Sequence, residues 1–178
     1  MTAVISESGP GGLTLGAIAE RVGISAPALT QRFGSKRRLL LAYADASAAD
    51  VVRIFDEARA TADSAVAAVC AGLTSFAGPV TTREGLAHSL AFLQLDLADP
   101  ELGRRAAEQS TSLQRKLAEL LREATRAGEL VAANEDDLAD TIYTTYNGAL
   151  ITWAINGKGP LETWLRLRLG RVLEPYRP

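Results

Sequence analysis

Two glycines, Gly23 and Gly34, dictate how the first part of this 178-residue chain folds. A helix often ends on a residue in the left-handed backbone region, which glycine reaches without steric cost, and it often begins after a Ser or Thr whose side-chain oxygen caps the free amides. Thr14 opens a short helix that runs to Val22 and stops at Gly23. Ser25 caps a second short helix, with Pro27 in its first turn where a missing N–H costs nothing, and this helix ends at Phe33 before Gly34. Ser35 then starts a longer helix from Lys36 toward Arg59, with Leu39, Leu40, Tyr43, Val51 and Phe55 on its apolar side. Ile18, Ala19 and Val22 share a face of the first helix, and Leu29 and Phe33 are spaced i, i+4 on the second. The spacing predicts a miniature core of Ile18, Val22, Ile24 and Leu29, with the small Ala19 letting the two helices approach. Gly9-Pro10-Gly11-Gly12 reads as a stretch that no helix crosses, which leaves residues 1–8 for any helix ahead of it.

Helical periodicity continues to the end, and period-two β-branched runs are missing, so the fold class is all-α. Gly78-Pro79, Asp99-Pro100, Gly128 and Gly157-Lys158-Gly159-Pro160 divide the remainder into helices at about 62–78, 83–98, 100–127, 135–156 and 160–174. One Cys and one His exclude an internal disulfide and a four-ligand zinc site, so no metal and no cofactor is expected. The sequence shows neither a spanning run nor an export signal, which gives the expectation of a cytoplasmic protein without membrane attachment. Phosphate-binding glycine loops, nucleophile elbows and metalloprotease motifs are all absent, so no catalytic residue is assigned. Asp136 and Asp140, at i, i+4, sustain a helical-bundle enzyme only as an alternative.

The charge is unevenly spread. The net charge is −2, yet residues 1–45 carry five Lys and Arg against three Asp and Glu, so a basic head precedes an acidic body. Two short helices about a glycine turn have the layout of a helix-turn-helix. The outward face of the second holds Ala26, Pro27, Thr30, Gln31 and Arg32. Small residues at its start permit close approach to base edges, Gln31 offers the donor and acceptor that suit adenine, and Arg32 suits guanine or phosphate. Ser35 and Lys36 combine a helix N-terminus with a cation, the chemistry of a phosphate clamp. With Thr14 and Ser25, these residues make up the set assigned to double-stranded DNA.

The stretch LTLGAIAERVGISAPALTQRFGSKRRL, residues 13–39, resembles the DNA-binding domain of the TetR family of transcriptional repressors. Ile18-Ala19, Gly23-Ile24-Ser25 and Ser35-Lys36 carry the likeness. Thr30 departs from it, since many members place there a longer-reaching Tyr. Ala127-Gly128-Glu129-Leu130 and the helix through Tyr146-Asn147-Gly148 and Trp153 are similar to the family's penultimate helix. The resemblance implies a DNA-binding domain over 1–45 and a ligand-binding and dimerisation domain over 46–178. It also implies a repressor that an unidentified small molecule releases from an inverted-repeat operator.

In the body, His88, Phe92, Gln94 and Asp96 with Phe76, Tyr143, Tyr146 and Asn147 are the candidate pocket residues. The last two helices carry more apolar area than one neighbour hides, which predicts a homodimer with Ile142, Ala149, Trp153, Trp164, Leu165, Leu169 and Val172 at its interface. A dimeric ligand-binding protein with a degenerate head remains the second alternative.

Overall fold

The computed structural model describes Gly9 and residues 12–131 and 133–178. Among these residues there are helices and no strand: α1 (Leu15–Val22), α2 (Ala26–Phe33), α3 (Lys36–Thr61), α4 (Ala65–Phe76), α5 (Arg83–Ala98), α6 (Pro100–Arg126), α7 (Glu135–Asn156) and α8 (Leu161–Leu173), then a 3₁₀ turn at Glu174–Tyr176. Each expected helix is present, with ends shifted by at most a few residues. A helix within residues 1–8 lies outside the described residues. The Leu13 N–H donates to the Gly9 carbonyl at 3.2 Å, and whether a helix crosses the stretch from Gly9 to Gly12 also lies outside the described residues. Gly9 sits at φ +60°, and a Cβ there would stand 2.8 Å from the His88 ring.

The chain forms two compact units. The first combines the described residues up to Ala48 with Pro79–Glu108. Its core is Leu13, Ile18, Ala19, Leu29, Leu39, Leu40 and Leu102, with Leu15, Phe33, Leu41, Tyr43 and Phe92 packed around it. The head therefore includes a leucine from the start of α6, more than sixty residues beyond α2. Val22 and Ile24 do not join this core; they are 52% and 45% exposed. The left-handed turn at Gly23 (φ 73°) follows directly on Val22, and Leu13, Leu39, Leu40 and Leu102 complete the core in which these two side chains were expected.

The second unit combines Ala49–Gly78 with Gln109–Pro178. Leu113, Leu117, Leu121 and Ala124 recur at three- and four-residue steps along α6 and are wholly buried. α8 packs against both α7 and α4 through Leu161, Leu165, Leu169 and Leu173. Both indole N–H groups are satisfied, Trp153 donating to the Gly159 carbonyl at 3.2 Å and Trp164 to the Ala149 carbonyl at 3.0 Å. The Glu129 carboxylate accepts the Ala65 and Val66 amides at 3.0 and 2.9 Å, adding an anion to the N-terminus of α4, which Ser64 already caps.

The Phe55 ring packs close against α4 because position 72 is glycine; a Cβ there would stand 2.6 Å from two ring carbons of this fully buried side chain. In an open helix Gly→Ala stabilises by about 1 kcal/mol. Here overpacking outweighs that gain, and Gly72→Ala is expected to cost roughly 1–3 kcal/mol. Thermal unfolding checks the sign: a lowered midpoint is expected, and a raised one would show that Phe55 moves aside freely.

Candidate nucleic-acid interface

Three hydroxyls shape the head locally. Thr14 Oγ1 accepts the Ala17 amide at 3.0 Å, Ser25 Oγ accepts the Ala28 amide at 3.3 Å, and Ser35 Oγ accepts the Arg38 amide at 3.2 Å. Each oxygen is used as an acceptor, so each hydroxyl proton is left to donate, which is what a phosphate oxygen requires. All three residues are exposed, and the helices they open point partial positive charge outward from their first turns.

Of α2, only Leu29 is fully buried, with Phe33 half-buried one turn later. At about 100° per residue, Gln31 lies on the side of α2 opposite this pair, flanked by Pro27 and Ala28. Ala26, Pro27, Ala28, Thr30, Gln31 and Arg32 are all exposed. The Arg32 guanidinium lies 5.4 Å from the Phe33 ring centroid, a cation–π contact that holds the charge at the end of the helix. Ala28 belongs to the exposed face as much as its neighbours do. Ala28 is not among the residues expected on that face, although its offset from Leu29 places it there. Lys36 is half-buried at the first position of α3.

Arg37 has a different environment. Its Nε donates to Asp99 Oδ2 at 2.7 Å, and its Nη2 donates to Asp99 Oδ1 at 3.0 Å and to Glu101 Oε2 at 2.9 Å. The bonds from Arg37 pull the Asp99 carboxyl down to about 2 and lower that of Glu101 as well. Because the Asp99 value falls on folding, this tie contributes in full above the ordinary carboxylate range and is lost as pH drops through about 2. Asp99-Pro100 appeared in the sequence only as a helix boundary. An Asp before Pro signals a cap, but nothing local signals a partner 62 residues away.

The candidate pocket residues fall in both units. His88, Phe92, Gln94 and Asp96 all lie on α5 in the first unit, where Phe92 packs on the head core, Gln94 is exposed, and half-burial raises the Asp96 carboxyl above its usual range. Phe76, Tyr143, Tyr146 and Asn147 lie in the second. There the Phe76 and Tyr146 rings meet at 6.5 Å, burial raises the Tyr146 phenol, and Asn147 Nδ2 donates to the Tyr143 carbonyl.

Most of the expected interface residues are turned inward. Ile142, Ala149, Trp153, Leu165 and Leu169 are buried inside their own chain, Trp164 is half-buried with Arg168 stacked 4.2 Å over its ring, and Val172 is half-buried. Their apolar area is consumed where α7 meets α8 within one subunit, a distinction that a periodic pattern does not make. Thr144, Gly148, Ile151 and Ile155 on α7 and Leu167 on α8 are exposed instead. Among the described residues no group of His, Cys, Asp and Glu is arranged to hold a metal ion, and no helix is long and apolar enough to cross a membrane.

Comparison with known proteins gives a consistent family. Residues 2–43 match the bacterial regulatory proteins of the tetR family, and residues 71–171 match the C-terminal domain of the BetI-type transcriptional repressors. No curated protein matches the sequence significantly. Among solved structures, a TetR transcription regulator from Haloarcula marismortui aligns over 99% of this chain and 93% of its own, with TM-score 0.75 at 14% identity. The TetR family regulator PfmR of Thermus thermophilus aligns over 97% and 94%, with TM-score 0.68 at 17% identity. A transcriptional regulator of Rhodococcus sp. Rha1 aligns over 98% and 92%, with TM-score 0.69 at 16% identity. At these identities the structural likeness concerns the fold.

Proposed function

The chain belongs to the TetR family of bacterial regulatory proteins and is a DNA-binding transcriptional regulator rather than an enzyme; from that premise we propose that it is a homodimeric cytoplasmic repressor, released from an inverted-repeat operator by a small molecule. The observation that carries this reading is the exposed face of α2 centred on Gln31, framed by three capping hydroxyls at helix starts. α2 enters the major groove, Gln31 and Arg32 read base edges, and Thr14, Ser25, Thr30, Ser35 and Lys36 hold phosphates. We take 1–45 as the DNA-binding domain and 46–178 as the effector-binding and dimerisation domain, whose residues 79–108 pack in the same unit as the DNA-binding helices. Phe76, Tyr143 and Asn147, grouped with Tyr146 in the second unit, supply an aromatic and amide surface suited to a small organic effector.

Selection from random duplex DNA tests this directly, with an inverted repeat as the expected product. Gln31→Ala is expected to relax one position in each half-site at a cost of about 1–3 kcal/mol against the preferred base. Lys36→Ala is expected to weaken binding to all sequences and flatten the log–log salt slope by about one unit. Failure of the intact protein to enrich any sequence would leave the degenerate-head alternative.

The dimer is assigned to the stripe of Thr144, Gly148, Ile151 and Ile155 on α7 with Leu167 on α8. This stripe lies opposite the buried face of α7, and its two isoleucines and Leu167 are 44%, 66% and 51% exposed. Gly148 has open space where a Cβ would stand, which leaves room for a neighbouring helix. Sedimentation at micromolar concentration is expected to give twice the chain mass of 18.9 kDa, falling to a single chain when Ile155→Glu and Leu167→Glu are combined. A wild-type mass near 18.9 kDa would rule the dimer out.

A further inference from the structure

The charges around α3 and α6 form one continuous chain within the first unit. Arg37 joins Asp99 and Glu101; Arg105 Nη1 donates to Glu101 Oε1 at 3.1 Å, and Arg105 Nε donates to Asp45 Oδ1 at 2.7 Å. Arg37 and Asp45 lie about two turns apart on α3, and Glu101 and Arg105 one turn apart on α6, so the network runs along facing sides of both helices. We propose that Asp99 is a positioning residue for DNA recognition: through Arg37 it fixes Ser35 and Lys36 at the start of α3, and Arg37 itself makes no phosphate contact.

The geometry supports this in three ways. The Arg37 guanidinium is committed through Nε and Nη2 to two carboxylates, a bidentate arrangement that fixes direction as well as distance. Asp99 is itself anchored, since its Oδ1 accepts the Glu101 and Leu102 amides at 2.9 and 3.3 Å, and the Leu102 side chain is buried in the head core. Arg37 directly follows Lys36 in the first turn of α3, so fixing Arg37 orients the turn that presents Ser35 and Lys36. One carboxylate thereby caps α6, grips α3 and is fastened to the core beneath both helices.

This inference rests on the DNA-binding reading above, and its test is separable from it. The full chain is titrated against its selected operator at several salt concentrations, as wild type, Arg37→Gln, Asp99→Asn and the double variant. Asn keeps the capping ability of Asp while losing its charge. Removing a negative charge near a polyanion would by itself strengthen binding. Positioning predicts the reverse: each single variant weakens binding roughly two- to thirtyfold, salt slope and base preference stay as in wild type, and the double variant is no weaker than the weaker single one. A slope lowered by about one unit in Arg37→Gln would make Arg37 a phosphate contact and overturn the proposal. Unchanged or tighter binding by Asp99→Asn, or additive losses in the double variant, would overturn it equally. Should Asp99→Asn melt early, Arg37→Gln, which breaks the same pair from the other side and leaves the Asp99 cap on α6 untouched, decides alone: weaker binding at an unchanged salt slope supports the proposal, and unchanged binding or a slope lowered by about one unit overturns it. Failure of the wild type to enrich DNA would be a failure of the functional reading instead.

Discussion

Eight residues make two turns of helix, too few to be stable alone in water, and both α1 and α2 are of that length. Their persistence depends on a small shared core, to which α2 contributes Leu29 in full and Phe33 in part. Leu13, Ile18, Ala19, Leu39 and Leu40 surround Leu29, and Leu102 closes the cluster from the first turns of α6. Leaving Leu102 out would expose apolar surface on a group of helices with little to spare, so the unit that presents α2 draws in residues 79–108 as well as the described residues up to Ala48. The polar ties follow the same route. Arg37 and Asp45 meet their partners on the segment that carries Leu102.

This construction suits a reader of DNA. Groups that face a groove cannot also be packed, so a recognition helix needs its support concentrated on a narrow strip. α2 has that form: Leu29 and Phe33 inside, Gln31 opposite them. Caps from Thr14, Ser25 and Ser35 hold the helix starts without consuming the hydroxyl protons. Acidic residues enter the head at Arg37, whose guanidinium is held by Asp99 and Glu101.

What was legible in the sequence was local. Thr14, Ser25 and Ser35 cap the helices that their positions announced, and Gly23 and Gly34 adopt the positive φ that a helix end asks of glycine. Burial was less legible, because a pattern of apolar spacing says that a face is covered without saying by what. Val22 and Ile24 fit the expected miniature core by spacing, yet both are exposed and the core is instead completed by Leu13, Leu39, Leu40 and Leu102. Ile142, Ala149, Trp153, Leu165 and Leu169 were placed correctly on apolar faces, but those faces meet within one chain. The partnership of Arg37 with Asp99 and Glu101 was invisible for the same reason, since charge pairing across more than sixty residues leaves no local trace.

The claim on which the rest stands is that the recognition helix is held by a core completed from α6. Native-state hydrogen exchange on Leu102→Ala measures it most directly. Amides of α1, α2 and the first turns of α3 are expected to lose protection together, while those around Leu121 and Leu165 in the second unit keep theirs. Unchanged protection of α2, or a loss shared equally by both units, would contradict the account.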